Sequence, residues 1–257
     1  FTLGTNNDLY YIKTRQTGSG HVEVHIATRA SAYLKSGGDY VTWMSSAEAD
    51  NGWFAIGSNN DLYYVKSRNT GAGTIEVHSA TASSGYAAVG VQHGTRFSLA
   101  DAANGWFTVS GADLYFIKTL HTGSGAIEVH TATSASQYAS GQDVVTRFGG
   151  GDAANGWFTV SGADLYYIKT IHTGSGRMEV HTAFGATATP YASGQDFTTW
   201  FNPGDAGNGW FSIAVGGDLN FIKTKHTAGQ VEVHVATKAT SYLQSGGDWP
   251  TWFSSAE

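Results

Sequence analysis

Three side-chain types with hydrogen-bonding or charge chemistry recur at a fixed spacing along this 257-residue chain. Glu and His stand two apart in the motif EVH, giving Glu23/His25, Glu76/His78, Glu128/His130, Glu179/His181 and Glu232/His234. Two apart on a strand means one common face. His and Glu are good zinc ligands, but each copy supplies only two, so the expectation is a repeated hydrogen bond or ion pair, with Glu facing the recurring Lys13, Lys66, Lys118, Lys169 and Lys223. Asp opens the motif DLYY at Asp8, Asp61, Asp113, Asp164 and Asp218. Ca²⁺ needs several converging oxygens, and a loop such as Ser161-Gly162-Ala163-Asp164 offers one carboxylate. That Asp is expected to tie down a turn. No metal and no cofactor is expected.

The third set is richest for binding. Asn-Gly-Trp recurs as Asn51/Trp53, Asn104/Trp106, Asn155/Trp157 and Asn208/Trp210. Arg68, His121, His172 and His226 stand just before a Gly-rich hairpin. An indole covers the apolar face of a pyranose, while amides and imidazoles bond its hydroxyls. The same Trp could instead anchor one repeat on the next, and Asn-Gly could be a plain turn; both readings stay open.

These residues sit on a repeat. DLYYIKT and its variants return every 51–54 residues, followed each time by a Thr-Gly-Ser-Gly-like turn and EVH. The fourth unit illustrates the strands: a short apolar one at Trp157–Val160, a second at Asp164–Thr170, a third at Arg177–Thr182 and a short fourth around Phe197–Phe201. The Gly-rich turn is a hairpin signal because Gly accepts positive φ. No segment carries a helical period with caps. Four strands per unit of about 50 residues is the blade of a β-propeller. A linear solenoid would need polar capping repeats, and the terminal units look like the middle ones. The fold expected is therefore all-β: one five-bladed propeller over residues 1–257, four antiparallel strands per blade. The repeats fall near 1–53, 54–106, 107–157, 158–210 and 211–257. In such a ring the Asn-Gly-Trp link and the Gly-rich hairpin share one rim. No Asn-Gly-Trp link stands between Glu257 and Phe1, so the site there is expected to be incomplete.

Bulk composition narrows the partners. Charged residues reach 13%, about half the globular average of roughly 25%. The net charge is −6, without basic clusters, so nucleic acid is not an expected partner. No apolar run approaches the ~20 residues of a membrane-spanning helix. There is no Cys, which rules out disulfides and leaves the compartment open between cytosol and exterior.

The segment FTVSGADLYYIKTIHTGSGRMEVHTA resembles the integrin-α-like, FG-GAP/VCBS-type propeller repeats, and among lectins is most similar in kind to the Psathyrella velutina lectin group. The likeness covers all five units. It implies sugar sites between adjacent blades. Two features depart from that group: its members commonly have seven blades, whereas five are counted here as in tachylectin-type lectins, and the Asp- and Gly-rich Ca²⁺ loop many carry is missing. The function expected is a multivalent carbohydrate-binding protein whose partners are glycans or glycoconjugates. A peptide-binding scaffold is the alternative. A glycosidase is less favoured, because such catalysis needs two differently tuned carboxylates at one place and fivefold repetition offers no unique pair.

Overall fold

A computed structural model describes residues 1–57 and 59–256. It contains five sheets, each a four-stranded antiparallel meander. Blade 1 comprises β1 (Thr2–Leu3), β2 (Leu9–Lys13), β3 (His21–Ala27) and β4 (Ser36–Ser45). Blade 2 comprises β5 (Gly52–Ile56), β6 (Leu62–Lys66), β7 (Thr74–Ala80) and β8 (Val89–Ser98). Blade 3 comprises β9 (Gly105–Ser110), β10 (Asp113–Lys118), β11 (Ala126–Ala132) and β12 (Asp143–Gly149). Blade 4 comprises β13 (Gly156–Ser161), β14 (Asp164–Lys169), β15 (Glu179–Ala183) and β16 (Asp196–Thr198), and blade 5 β17 (Gly209–Ile213), β18 (Leu219–Lys223), β19 (Gln230–Ala236) and β20 (Ser245–Ser254). The chain is a five-bladed β-propeller, as its repeats require.

The second strand of each blade shows why both faces must be apolar. Leu165, Tyr166, Tyr167 and Ile168 of β14 are all buried, although successive side chains point to opposite faces. The hydrophobic core is accordingly divided among blade boundaries. One cluster joins Val65, Val77 and Phe97 of blade 2 to Phe107, Phe116 and Tyr138 of blade 3, and four others repeat it around the ring.

Each boundary is also stitched by a backbone bond. A residue late in the fourth strand, or just past it in blade 4, donates its N–H to the carbonyl of a buried tyrosine in the next blade: Trp43 to Tyr86, Arg96 to Tyr138, Arg147 to Tyr191 and Trp200 to Tyr242. Trp252 to Tyr33, at 3.0 Å, makes the same bond between blade 5 and blade 1 and closes the ring. These tyrosines take a left-handed backbone, with φ between 60° and 65°, at a cost of roughly 1–2 kcal/mol each. Burial of the ring and a hydrogen bond from its hydroxyl to the β1–β2-type turn, as from Tyr138 to Ala112 O at 2.8 Å, offset that cost.

The Asp that opens each second strand anchors the same region. Asp8, Asp61, Asp113, Asp164 and Asp218 accept backbone N–H bonds of 2.7–3.0 Å from Arg29, Ala82, Ser134, Gly185 and Lys238. Each carboxylate thus starts the connection from third to fourth strand, the turn role expected of it.

Two local features differ from the sequence reading. In blade 4 the third strand begins at Glu179 rather than Arg177, and the fourth covers Asp196–Thr198 rather than Phe197–Phe201. Beyond Thr198 the pairing continues irregularly, with Thr199 N on Met178 O and Met178 N on Phe201 O. The links from fourth to first strand contain short 3-10 turns, as at Leu99–Ala103 and Gly150–Asn155. Segments this short have no apolar stripe for a periodicity argument to find. No helix among the described residues is long and apolar enough to cross a membrane.

Candidate functional site

The Asn-Gly-Trp link is fixed by close approach. An added Cβ on Gly105, Gly156 or Gly209 would lie 2.0 Å from the carbonyl oxygen of Ile117, Ile168 or Ile222 on the neighbouring strand. Only Gly lets the first strand start so near the second. The preceding Asn then ties the link to the hairpin strand: Asn104 O accepts from Thr119 N and Leu120 N, and Asn155 O from Thr170 N and Ile171 N. The side-chain amides of Asn104, Asn155 and Asn208 donate back into the 3-10 turn, to Ala100 O, Gly151 O and Gly204 O.

The structure brings two of the sequence-predicted pairs together. His121 Nδ1 lies 2.7 Å from Asn104 Oδ1 and His172 Nδ1 2.7 Å from Asn155 Oδ1, both on exposed rings. Each Nδ1 is therefore the donor and each Nε2 faces solvent. His226 occupies the same exposed place in blade 5, with the same left-handed backbone (φ 55°). In blade 2 the corresponding residue is Asn69, which donates to Asn51 Oδ1 at 2.7 Å. Arg68 is exposed and stands one position earlier, where blade 3 has Leu120.

The tryptophans of the link are half-buried between blades. Trp53, Trp106 and Trp210 donate their indole N–H to the backbone oxygens of Phe107 (2.9 Å), Phe158 (2.9 Å) and Phe1 (3.2 Å) in the next blade. Trp157 rests against Phe211 with ring centroids 5.9 Å apart. The structure thus separates them from the exposed His/Asn pairs and directs them into the blade boundary.

A second repeated constellation lies farther out along each boundary. His130 has Nε2 at 3.0 Å from Glu128 and Nδ1 at 2.7 Å from Asp143. His181 is held the same way by Glu179 (3.1 Å) and Asp196 (2.8 Å), and His234 by Glu232 (3.0 Å) and Asp248 (2.8 Å). His25 has Asp39 at 2.8 Å and Glu23 at 3.4 Å. The expected Lys–Glu pairs are present, as Lys118–Glu128 and Lys169–Glu179 at 3.7 Å and Lys223–Glu232 at 3.0 Å; in blade 2 Lys66 turns instead to Glu48.

The preceding blade completes each cleft with one planar side chain. Arg96 grips Asp143 through Nη2 at 2.7 Å and donates Nη1 to Thr131 O; Arg147 does the same to Asp196 and Thr182 O. At three other boundaries Trp43, Trp200 and Trp252 donate indole N–H to the matching carbonyls of Ser79, Val235 and Ile26. Trp and Arg thus place a flat group and an N–H donor on the same carbonyl, and Arg alone also reaches the Asp carboxylate.

The electrostatics follow from these contacts. Burial opposes the charge on Asp143 and Asp196, but hydrogen bonds from Arg96 or Arg147 and from the imidazole outweigh it and hold both carboxyls below the usual range. Burial likewise opposes the charge on Glu128 and Glu179. Bonds from His130 and Ser124, and from Ser175 and His181, pull those carboxyls down. Even so, the Asp39, Asp143, Asp196 and Asp248 side chains remain 48–54% exposed, so carboxylate lone pairs still face solvent at four boundaries. Among the described residues no group of three or more His, Cys, Asp and Glu is arranged to hold a metal ion.

Sequence reasoning singled out the Glu, His and Lys of this outer constellation but overlooked its Asp and its Trp or Arg. Its signal is a further repeat in the fourth strand: D-V-V-T-R-F at Asp143, D-F-T-T-W-F at Asp196, D-W-P-T-W-F at Asp248, D-Y-V-T-W-M at Asp39 and Q-H-G-T-R-F at Gln92. The Arg/Trp alternation hides it from a search for identical residues. A scan against protein-family models finds no match, and a search of curated proteins finds none either, so the chain is placed by its architecture: a five-bladed β-propeller of near-identical blades.

Proposed function

We propose that this chain is a multivalent carbohydrate-binding protein, a propeller lectin of the integrin-α-like kind, with sugar sites repeated at the blade boundaries. One observation carries the reading: a half-exposed carboxylate beside an imidazole and a planar Trp or Arg recurs at four boundaries. A carboxylate accepts hydroxyl hydrogen bonds, and flat indole or guanidinium surfaces suit the apolar face of a pyranose. The exposed imidazoles of His121 and His172, steadied by Asn104 and Asn155, add hydrogen-bonding groups on the rim. Weak single sites in a ring become useful through avidity on a glycan-covered surface.

The role proposed is binding rather than catalysis. The test is a glycan array followed by competition with free monosaccharide, using the native chain and the double variant Asp143→Asn/Asp196→Asn. Glycan capture that a monosaccharide inhibits, and that the double variant weakens, supports the reading. An array without hits, or hits indifferent to both carboxylates, overturns it and leaves the peptide-binding alternative.

A further inference from the structure

One boundary breaks the repeat in two ways. At the other four, a phenylalanine of the fourth strand fills the cleft edge-on against two rings of the next blade. Phe97 lies 5.4 and 5.6 Å from Phe107 and Phe116, Phe148 5.4 and 5.5 Å from Phe158 and Tyr167, and Phe201 5.3 and 5.7 Å from Phe211 and Phe221. Phe253 does the same to Phe1 and Tyr11. Between blades 1 and 2 that residue is Met44. A thioether is narrower than a phenyl ring and adapts its shape. Beside it lies an open cleft of about 240 Å³ whose walls include Trp43, Met44, Phe54, Tyr64, His78 and Gln92, with Ser45 and Glu48 also lining it. Phe54 on the facing wall is partly buried, as is Phe1, whereas Phe107, Phe158 and Phe211 at the equivalent position are 2–4% exposed.

The second break concerns the imidazole. His25, His130, His181 and His234 each turn Nδ1 to an aspartate at 2.7–2.8 Å. Opposite His78 the register places Gln92. His78 Nε2 keeps its glutamate, Glu76, at 3.1 Å, while among the described residues Nδ1 has no hydrogen-bond partner. In the tautomer that directs Nε2–H at Glu76, Nδ1 is a free acceptor on a ring that lines the cleft. Gln92 adds an uncharged amide. Glu48, at the cavity edge, is already paired with Lys66.

We infer that the cleft between blades 1 and 2 is a separate binding site for a small uncharged aromatic molecule carrying one edge O–H or N–H, of the phenol or indole class. The walls are aromatic, which favours a flat ring. At about 240 Å³ the open cleft has room for one or two fused rings, against roughly 150 Å³ for a closed cavity known to accept benzene. His78 Nδ1 receives the ligand's donor. A pyranose would leave most of its hydroxyls against apolar walls and is rejected here. This inference does not rest on the carbohydrate reading; a chain that bound no glycan would still carry this site.

The test is calorimetric titration of the native chain with indole and with phenol, beside benzene and a methyl glycoside. One mole of indole or phenol per mole of chain is expected, with benzene at least about tenfold weaker because it cannot donate to Nδ1. Met44→Phe restores the sister-cleft residue and is expected to abolish binding, and Gln92→Asp to weaken it by capturing Nδ1. The ¹⁵N resonances of the His78 imidazole report on the native chain, independently of how any variant folds. Binding of indole and phenol that leaves those resonances unmoved, a stoichiometry near five, benzene as tight as phenol, tighter binding of the glycoside, or no saturable binding would each overturn the inference.

Discussion

Replacing Trp106 by Ala asks whether the link tryptophans hold blades together or present a surface to ligand. The Trp106 indole sits half-buried against Phe158, centroids 5.9 Å apart, in a cluster with Ile117 and Phe148, and its N–H reaches Phe158 O at 2.9 Å. Full truncation of a core Trp costs about 3–5 kcal/mol, and half-burial brings the packing part to roughly 2. Orphaning the Phe158 carbonyl adds about 1 kcal/mol. The loss is therefore about 3 kcal/mol, which for a chain of this size lowers Tm by roughly 6–12 °C. Trp106→Phe separates the two parts, since it keeps a ring and loses the donor; it should lower Tm by about 2–4 °C for the ~1 kcal/mol hydrogen bond. Differential scanning calorimetry of both variants measures this directly. If Trp106→Ala melts within about 2 °C of the parent while glycan capture falls, the packing argument is wrong and the indole is a contact surface.

Four further outcomes are expected. Gly156→Ala places a methyl group 2.0 Å from Ile168 O and should cost upwards of about 2 kcal/mol through forced displacement of β13, read as a lower urea midpoint. Asp196→Asn loses the charge that Arg147 and His181 share; at this half-exposed pair a loss of about 1 kcal/mol is expected, together with weaker glycan capture at that boundary. Acid should destabilise the ring. Glu76, Glu128, Asp143, Glu179, Asp196 and Glu232 are all held below their ordinary values of 4.5 or 3.8, so the unfolded chain takes up protons first. Stability from these groups is full above about pH 5 and is lost as pH falls through the depressed carboxyl values, which urea titrations between pH 7 and pH 3 would reveal as a falling midpoint. Finally, Trp200→Arg and Arg147→Trp exchange the two planar donors and should keep the fold, with Tm within about 3 °C of the parent, while altering which glycans are retained on an array.

Much of the fold was legible because the repeat carries its own register. DLYYIKT, a Gly-rich turn and EVH define two strands and their hairpin, and five copies without polar ends imply closure. What the sequence could not show is how a residue's neighbours in the ring dispose of it. Trp106 and Trp252 look alike on paper, yet one lies in a first strand and the other in a fourth, and each donates to a different carbonyl of the next blade. The fourth-strand repeat marks Asp143 but not its partners, which appear only when β12 sets it opposite His130 and the preceding blade supplies Arg96. Such contacts have no sequence-local signature, because one partner is a whole blade away.

That same geometry explains why the blades can differ in chemistry without differing in fold. The fixed contacts, namely the backbone bond to the left-handed tyrosine, the Asp at the turn and the Gly at the link, recur whatever stands at the variable positions. The variable positions lie between them: Trp or Arg as donor, Asp or Gln opposite His, Phe or Met in the cleft. A change there alters one boundary and leaves the ring closed, since the neighbouring boundaries keep their own stitches. Met44 and Gln92 together are such a change, on opposite walls of one cleft, and each makes room for the other's effect: the narrower side chain opens the cavity and the amide frees the imidazole that faces it.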